Sequence, residues 1–126
     1  MRNLRFVNSM NSDPQGVRAV IVDLDGTMVD TLGDFDVALN ETLKALGRPG
    51  VTRADIERMV GKGSAHLIRS ALLHGGLGAE DAAALQADAW TRYQAHYLAI
   101  NGAHSAVYPG VVEGLAALRA KGLPLA

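Results

Sequence analysis

The feature that most limits what this chain can fold into is a short β-branched run, Val17-Arg18-Ala19-Val20-Ile21-Val22-Asp23-Leu24. A second apolar run, Leu123-Pro124-Leu125-Ala126, opens only at the far end of the sequence. Near-continuous hydrophobicity bounded by Gly16 and Gly26 predicts a strand over 17–24 that is buried on both faces, as in a parallel sheet. Arg18, the charge inside it, belongs at the strand's beginning. A parallel return needs a crossover, ordinarily a single helix. Here the return is delayed by several helices. A helical bundle with one stray strand is the plainer architecture. An α/β core with a helical insertion after its first strand fits better, because the 17–24 run needs cover on both faces.

The intervening sequence is read from its periods and stops. Leu32, Phe35, Leu39, Leu43 and Leu46 recur at helical spacing from Thr31 to Leu46, with Gly47 as the stop and Pro49-Gly50 as a turn. Thr52 with Asp55 three residues on reads as a capping box, opening a short helix to Met59. Gly61-Lys62-Gly63 interrupts, and Ser64 is placed to cap a helix carrying Leu67, Ile68, Ala71 and Leu72, closed by His74-Gly75-Gly76. Residues 79–100 form the longest helix, with Trp90, Tyr93, Tyr97 and Ile100 on one stripe read as packing, and Asn101-Gly102 ends it. Tyr108-Pro109-Gly110 begins a last helix, with Val111, Leu115 and Leu118 facing inward and Gly122 as its stop.

Composition excludes several classes. Twelve Lys and Arg against 13 Asp and Glu leave a net charge of -1, without the basic excess of a general nucleic-acid binder. The absence of cysteine removes disulfide scaffolds and cysteine-based zinc sites or nucleophiles. No apolar stretch approaches the roughly 18 residues that span a bilayer. The opening MRNLRFVNSM is too polar for a secretory core. The expectation is a soluble, cytoplasmic protein whose residues 1–16 form a loose tail.

Chemistry concentrates at Asp23-Leu24-Asp25-Gly26-Thr27. The carboxyl end of a buried strand is where open α/β sheets bind ligands. In extended backbone, residues two apart share a face. Two bare carboxylates ~5–6 Å apart would repel by roughly 3 kcal/mol at an effective dielectric near 20, which a divalent cation offsets. Gly26 permits a tight turn, and Thr27 offers a hydroxyl and a backbone N–H to an anion. A plain strand-ending turn is the competing account. A calcium loop is not: it would want Gly at its sixth position and Glu at its twelfth, and Gly26 falls at the fourth with Asp34 at the twelfth.

From Val20 to Thr31 the sequence resembles the first motif of the haloacid dehalogenase superfamily: hydrophobic strand, DxDGT, then a turn ending in Asp-Thr. The helical insertion resembles that superfamily's C1 cap, and Tyr108-Pro109-Gly110-Val111 resembles the return from cap to core. Within the superfamily, Val60-Gly61-Lys62-Gly63 is similar to the phosphoglycolate phosphatases. The resemblance implies an α/β fold, a Rossmannoid parallel-sheet core, incomplete in this chain, with an inserted α-helical cap. Residues 17–30 and 105–126 would be core and 31–104 cap.

It further implies a Mg2+-dependent phosphatase of small phosphorylated metabolites, 2-phosphoglycolate first. Asp23 would be the nucleophile and Asp25 the general acid/base, with Gly26 and Thr27 shaping the phosphate pocket. Magnesium would be held by the Asp23 carboxylate and the Asp25 backbone carbonyl. The acid at Asp25 argues for phosphate rather than halide as leaving group, since halide needs no proton. The expected partner is a small phosphorylated substrate, with neither nucleic acid nor membrane. The alternatives are a β-phosphoglucomutase-like phosphotransferase and a truncated, non-catalytic product. The superfamily's later motifs (a Thr or Ser, a Lys and an acidic pair) do not occur before Ala126, so the chain by itself is expected to be weakly active or inactive. Lys121 reads as a helix-end cation, not as the missing Lys.

Lesser signals are weighed the same way. Gly61-Lys62-Gly63-Ser64 fails the Walker spacing. Lys62 is either a contact for a substrate carboxylate or a solvated lysine between glycines. His66 and Arg69, three apart, either face substrate or line an exposed polar face. His74, His96 and His104 lack metal-ligand spacing. Asp30, Asp34 and Asp36 crowd a helix start, where negative charge suits the dipole.

Overall fold

The computed structural model describes residues 16–126. The tail expected over 1–16 therefore lies, but for Gly16, outside the described residues. The elements run β1 (Val29–Asp30), α1 (Leu32–Ala45), α2 (Arg53–Met59), α3 (Ser64–His74), α4 (Ala79–Ile100), β2 (Ala106–Val107) and α5 (Val111–Ala120). They divide into two compact units, a helical one spanning Thr31–Ser105 and one formed by the described residues up to Asp30 with Ala106–Ala126.

The helical unit carries the hydrophobic core. Leu39, Leu43, Ile56, Ile68 and Leu72 are fully buried, and α4 supplies Ala82, Ala89 and Tyr93. Each large aliphatic side chain removed from water contributes about 1.5–3 kcal/mol before conformational entropy is counted. α4 packs along both α1 and α3, and α2 bridges α1 and α3. The Leu39/Leu43 and Leu67/Ile68/Ala71/Leu72 periods thus enter one shared core with α2 and α4.

Local chemistry sets the ends. The Thr52 hydroxyl accepts from the Asp55 N–H at 3.2 Å and the Asp55 carboxylate accepts from the Thr52 N–H at 3.0 Å, a complete capping box. Gly47, at φ +64, closes α1 while the Arg48 N–H reaches back to the Leu43 carbonyl at 2.8 Å. α3 differs from expectation: its N-cap is Gly63, at φ +87, with Ser64 already helical and no side-chain cap. The left-handed step at Gly63 turns the chain into the helix one residue earlier.

The aromatic stripe packs as expected. Tyr93 is 3% exposed, and Tyr97 stacks on both Phe35 and Tyr93 with ring centroids 5.9 Å apart. Trp90, Tyr93 and Tyr97, with Ser64, Gln94 and Leu98, line an open cavity of about 190 Å³.

The other unit is sparse. Val20 pairs with Leu125 in parallel through bonds from the Val20 N–H to Pro124 (2.9 Å), the Ala126 N–H to Val20 (3.0 Å) and the Val22 N–H to Ala126 (2.8 Å). The parallel return is therefore present, but as an isolated bridge at Val20 rather than the strand expected over 17–24. The burial expected of that run is absent as well: Ile21 is 86% exposed, Leu24 54% and Val17 49%. Burial on both faces needs flanking strands and covering helices, and among the described residues the run has one bonded neighbour. α5 buries no residue, its Val111, Leu115 and Leu118 being half-buried and Val112 exposed. β1 and β2 form a short antiparallel ribbon, Val29 opposite Val107 and Asp30 opposite Ala106. Among the described residues, no helix is long and apolar enough to cross a membrane.

Candidate active site

The 17–24 run ends in a tight turn that collects four of the expected site residues. The Leu24 carbonyl accepts the N–H groups of Met28 and Val29, each at 3.0 Å, and that of Thr27 at 3.3 Å, while the Gly26 N–H donates to Val29 at 2.8 Å. Gly26 adopts φ +74 with open space where a Cβ would project, so its requirement is conformational rather than steric. Asp23 and Asp25 flank Leu24 and both are exposed. The Thr27 hydroxyl donates to Asp23 Oδ2 at 3.2 Å, fixing one carboxylate oxygen and leaving Oδ1 for other partners. The Gly26 and Thr27 amides are already engaged within the turn, so the Thr27 hydroxyl rather than its N–H points to the carboxylate.

Hard oxygen donors at this turn suit a small divalent cation. Magnesium is commonly bound through one or two carboxylates, with water and substrate phosphate filling the rest of its shell. The Asp23 carboxylate and Asp25 carbonyl fit that donor set. Among the described residues, no group of three or more His, Asp or Glu side chains is placed to hold a metal by itself.

Lys62 belongs to the helical unit, exposed between Gly61 (φ +106) and Gly63. On α3, His66 Nε2 lies 3.3 Å from the Ser70 hydroxyl, and Arg69 is exposed.

Two polar positions, Asp34 and Asn40, do work the sequence did not reveal, and Asp55 has partners beyond its cap. Asp34 is 1% exposed and accepts hydrogen bonds from the Gly102 N–H (3.0 Å), the His104 N–H (2.8 Å) and the Ser105 hydroxyl. Its carboxylate thus faces a distant segment in addition to standing in the first turn of α1. Burial by itself would raise its pKa, but the bonds from Ser105, His104 and Gly102 and the charge of the His104 ring outweigh that and hold it low. Asn40 donates to Asp36 Oδ1 (2.6 Å) and the Val51 carbonyl (3.1 Å) and accepts from the Val51 N–H (2.8 Å). Asp55 meets Arg58 Nη2, and His74 Nε2 lies 3.7 Å from it. Hydrogen bonds from the Thr52 hydroxyl and N–H, ahead of the charges of His74 and Arg58, hold its carboxyl low.

The family model for haloacid dehalogenase-like hydrolases matches residues 17–126. The phosphoglycolate phosphatase of Thiobacillus denitrificans is 39% identical over 117 residues, covering 93% of this chain and 51% of that protein. That of Rhodospirillum rubrum is 41% identical over 111 residues, covering 86% and 46%. The chain spans about half the length of the curated relatives it matches. Among solved structures, a predicted phosphoglycolate phosphatase of Haemophilus somnus superposes with a TM-score of 0.73 at 25% identity, covering 86% of this chain and 49% of that one. Protein Tyrosine Kinase A of Mycobacterium tuberculosis superposes at 0.68, also at 25% identity, over 87% and 47%.

Proposed function

The chain belongs to the haloacid dehalogenase-like hydrolase family, and from that premise we propose that it is the nucleophile-bearing part of a cytoplasmic, Mg2+-dependent phosphatase acting on 2-phosphoglycolate through an aspartyl-phosphate. One observation carries the reading. Two exposed aspartates flank Leu24 at the end of an extended run bridged in parallel to Leu125, and a threonine hydroxyl holds one oxygen of the first. The names of the relatives support the substrate, and the Gly61-Lys62-Gly63 step offers a cation for its carboxylate.

The chemistry follows from the residues. An Asp23 carboxylate oxygen forms a bond to phosphorus as the bond from phosphorus to the substrate's alkoxy oxygen breaks. The Asp25 carboxyl gives its proton to the departing alkoxide. Asp25, now a carboxylate, takes a proton from water as that water attacks phosphorus, releasing phosphate and restoring Asp23. The Thr27 hydroxyl holds Asp23 in one rotamer through both steps. Magnesium, held by the Asp23 carboxylate and the Asp25 carbonyl, would shield the phosphoryl charge. The helical unit is proposed as the cap, residues 31–104, with 17–30 and 105–126 as core.

The test is hydrolysis of 2-phosphoglycolate with and without Mg2+, alongside amide shifts of Asp23–Thr27 on adding Mg2+ and orthophosphate. A slow, Mg2+-dependent release of phosphate to water is expected from this chain. Asp23→Asn should abolish it, and Asp25→Asn should lower it by about 10²–10⁴-fold. Turnover that survives Asp23→Asn unchanged refutes the assignment. Transfer to a sugar hydroxyl instead of water would mark a phosphomutase.

A further inference from the structure

Both ends of the helical unit meet at one buried carboxylate. The oxygens of Asp34, in the first turn of α1, receive the N–H groups of Gly102 and His104 and the hydroxyl of Ser105, from the segment that leaves α4. Beside it, a Cβ built on Gly33 would lie 2.2 Å from the His104 carbonyl oxygen and 3.0 Å from the His104 Cβ. The departing segment therefore rests on the α1 backbone itself, where only glycine leaves room. One steric and one charged observation, on adjacent residues, select the same contact.

The contact lies at the margin of what holds the helices. The fully buried hydrophobic residues run from Ala38 to Tyr93, between the two sides of this contact in sequence, while the half-buried Leu32, Phe35, Tyr97 and Ile100 carry the packing up to it. The chain passes the two ends of the helical unit, entering after Asp30 and leaving after Ser105, and the contact lies next to both of these exits from the unit.

We infer that Gly33 and Asp34 form a latch that fastens Gly102–Ser105 onto the start of α1, and that opening it frees this segment while the helical core stays folded. Closed, the latch makes the two exits move as one strap. Open, it lets them move separately. The latch is a conformational device of the fold and does not depend on the reaction assigned to Asp23.

Amide hydrogen exchange on the full 126-residue chain tests it. In the wild-type chain the Gly102 and His104 amides are expected to be protected. Asp34→Ala and Gly33→Ala should each speed exchange at both amides by at least about tenfold, with Leu43 and Leu72 unchanged and helical circular dichroism retained. Gly33→Ala is the sharper variant, because alanine favours a helix over glycine and any loosening then comes from the clash with His104. Ser105→Ala should fall between these variants and wild type. Unprotected Gly102 and His104 amides in the wild type overturn the inference. So does loss of helical signal in both variants, which would make the contact part of the core, and so does unchanged exchange in folded variants.

Discussion

Replacing Asn40 separates a backbone-mimicking amide from a generic polar residue. Its side chain bonds both the N–H and the carbonyl of Val51, which is 8% exposed, and so holds the loop after α1 as a neighbouring strand would. Asn40→Ala removes both bonds and leaves two buried backbone groups without that partner. At about 1 kcal/mol net per bond plus part of the desolvation penalty, the loss is about 2–4 kcal/mol. With a urea m-value near 1–1.5 kcal/mol/M, the unfolding midpoint falls by roughly 2 M.

Asn40→Asp is nearly isosteric and behaves differently. It keeps an acceptor for the Val51 N–H but places an oxygen where Nδ2 now lies, 2.6 Å from Asp36 Oδ1 and 3.1 Å from the Val51 carbonyl. Both neighbours oppose ionisation, so the new carboxyl has a folded pKa raised above its unfolded value of about 3.9. Stability from a raised group is complete below the unfolded value and is lost as pH rises through the folded one. The gap between wild type and Asn40→Asp should therefore be small near pH 3.5 and widen towards pH 7, by about 1–3 kcal/mol for a shift of one to two units. The Asn40→Ala gap should stay flat, and the acid sensitivity of Asp34 and Asp55 cancels in each difference. Urea unfolding followed by circular dichroism at the two pH values gives all four numbers. An Asn40→Asp gap that fails to narrow in acid, or an Asn40→Ala cost under about 0.5 kcal/mol, refutes the reasoning.

Two further expectations concern the same unit. The Asp34 carboxyl sits below its ordinary 3.8, so its contribution is complete above that value and is lost as pH falls through the lower folded pKa. Wild type and Asp34→Asn should accordingly differ in urea midpoint at pH 7 and converge below about pH 4, and a constant difference counts against the assignment. Leu72→Ala, at a fully buried position on α3, should cost about 2–5 kcal/mol at every pH, read from the same unfolding curves.

What could be read in advance divides along the range of the interactions. The helices were legible because Leu39, Leu43, Ile68 and Leu72 announce themselves by local spacing, and Thr52 with Asp55 is a cap written within four residues. The DxDGT turn was legible because its chemistry and its glycine sit side by side. Burial of 17–24 was over-read: a β-branched apolar run states a preference for cover and says nothing about whether neighbours are present. Asp34 and Asn40 stayed hidden because their partners, Gly102–Ser105 and Val51, come from elsewhere in the chain. On a helical wheel each is an ordinary polar residue. Ser64 misled for a smaller reason, since a favoured capping side chain preceded by glycine leaves two candidates for the same position. The two-residue ribbon of β1 and β2 is too short to produce a period.

The meeting of α1 with the segment after α4 also bears on the order of events in folding. Val20 and Leu125 must find each other across the whole insertion, a closure whose entropy cost grows with the logarithm of the intervening length. Once the helices have assembled and Gly102–Ser105 is seated on Asp34, that length is no longer free chain. The search falls from a loop of roughly a hundred residues to one of roughly thirty, saving about 1 kcal/mol and accelerating closure about fivefold. The bridge between Val20 and Leu125, next in sequence to the DxDGT turn, is then the last event rather than the first, because it alone waits on closure of the whole loop.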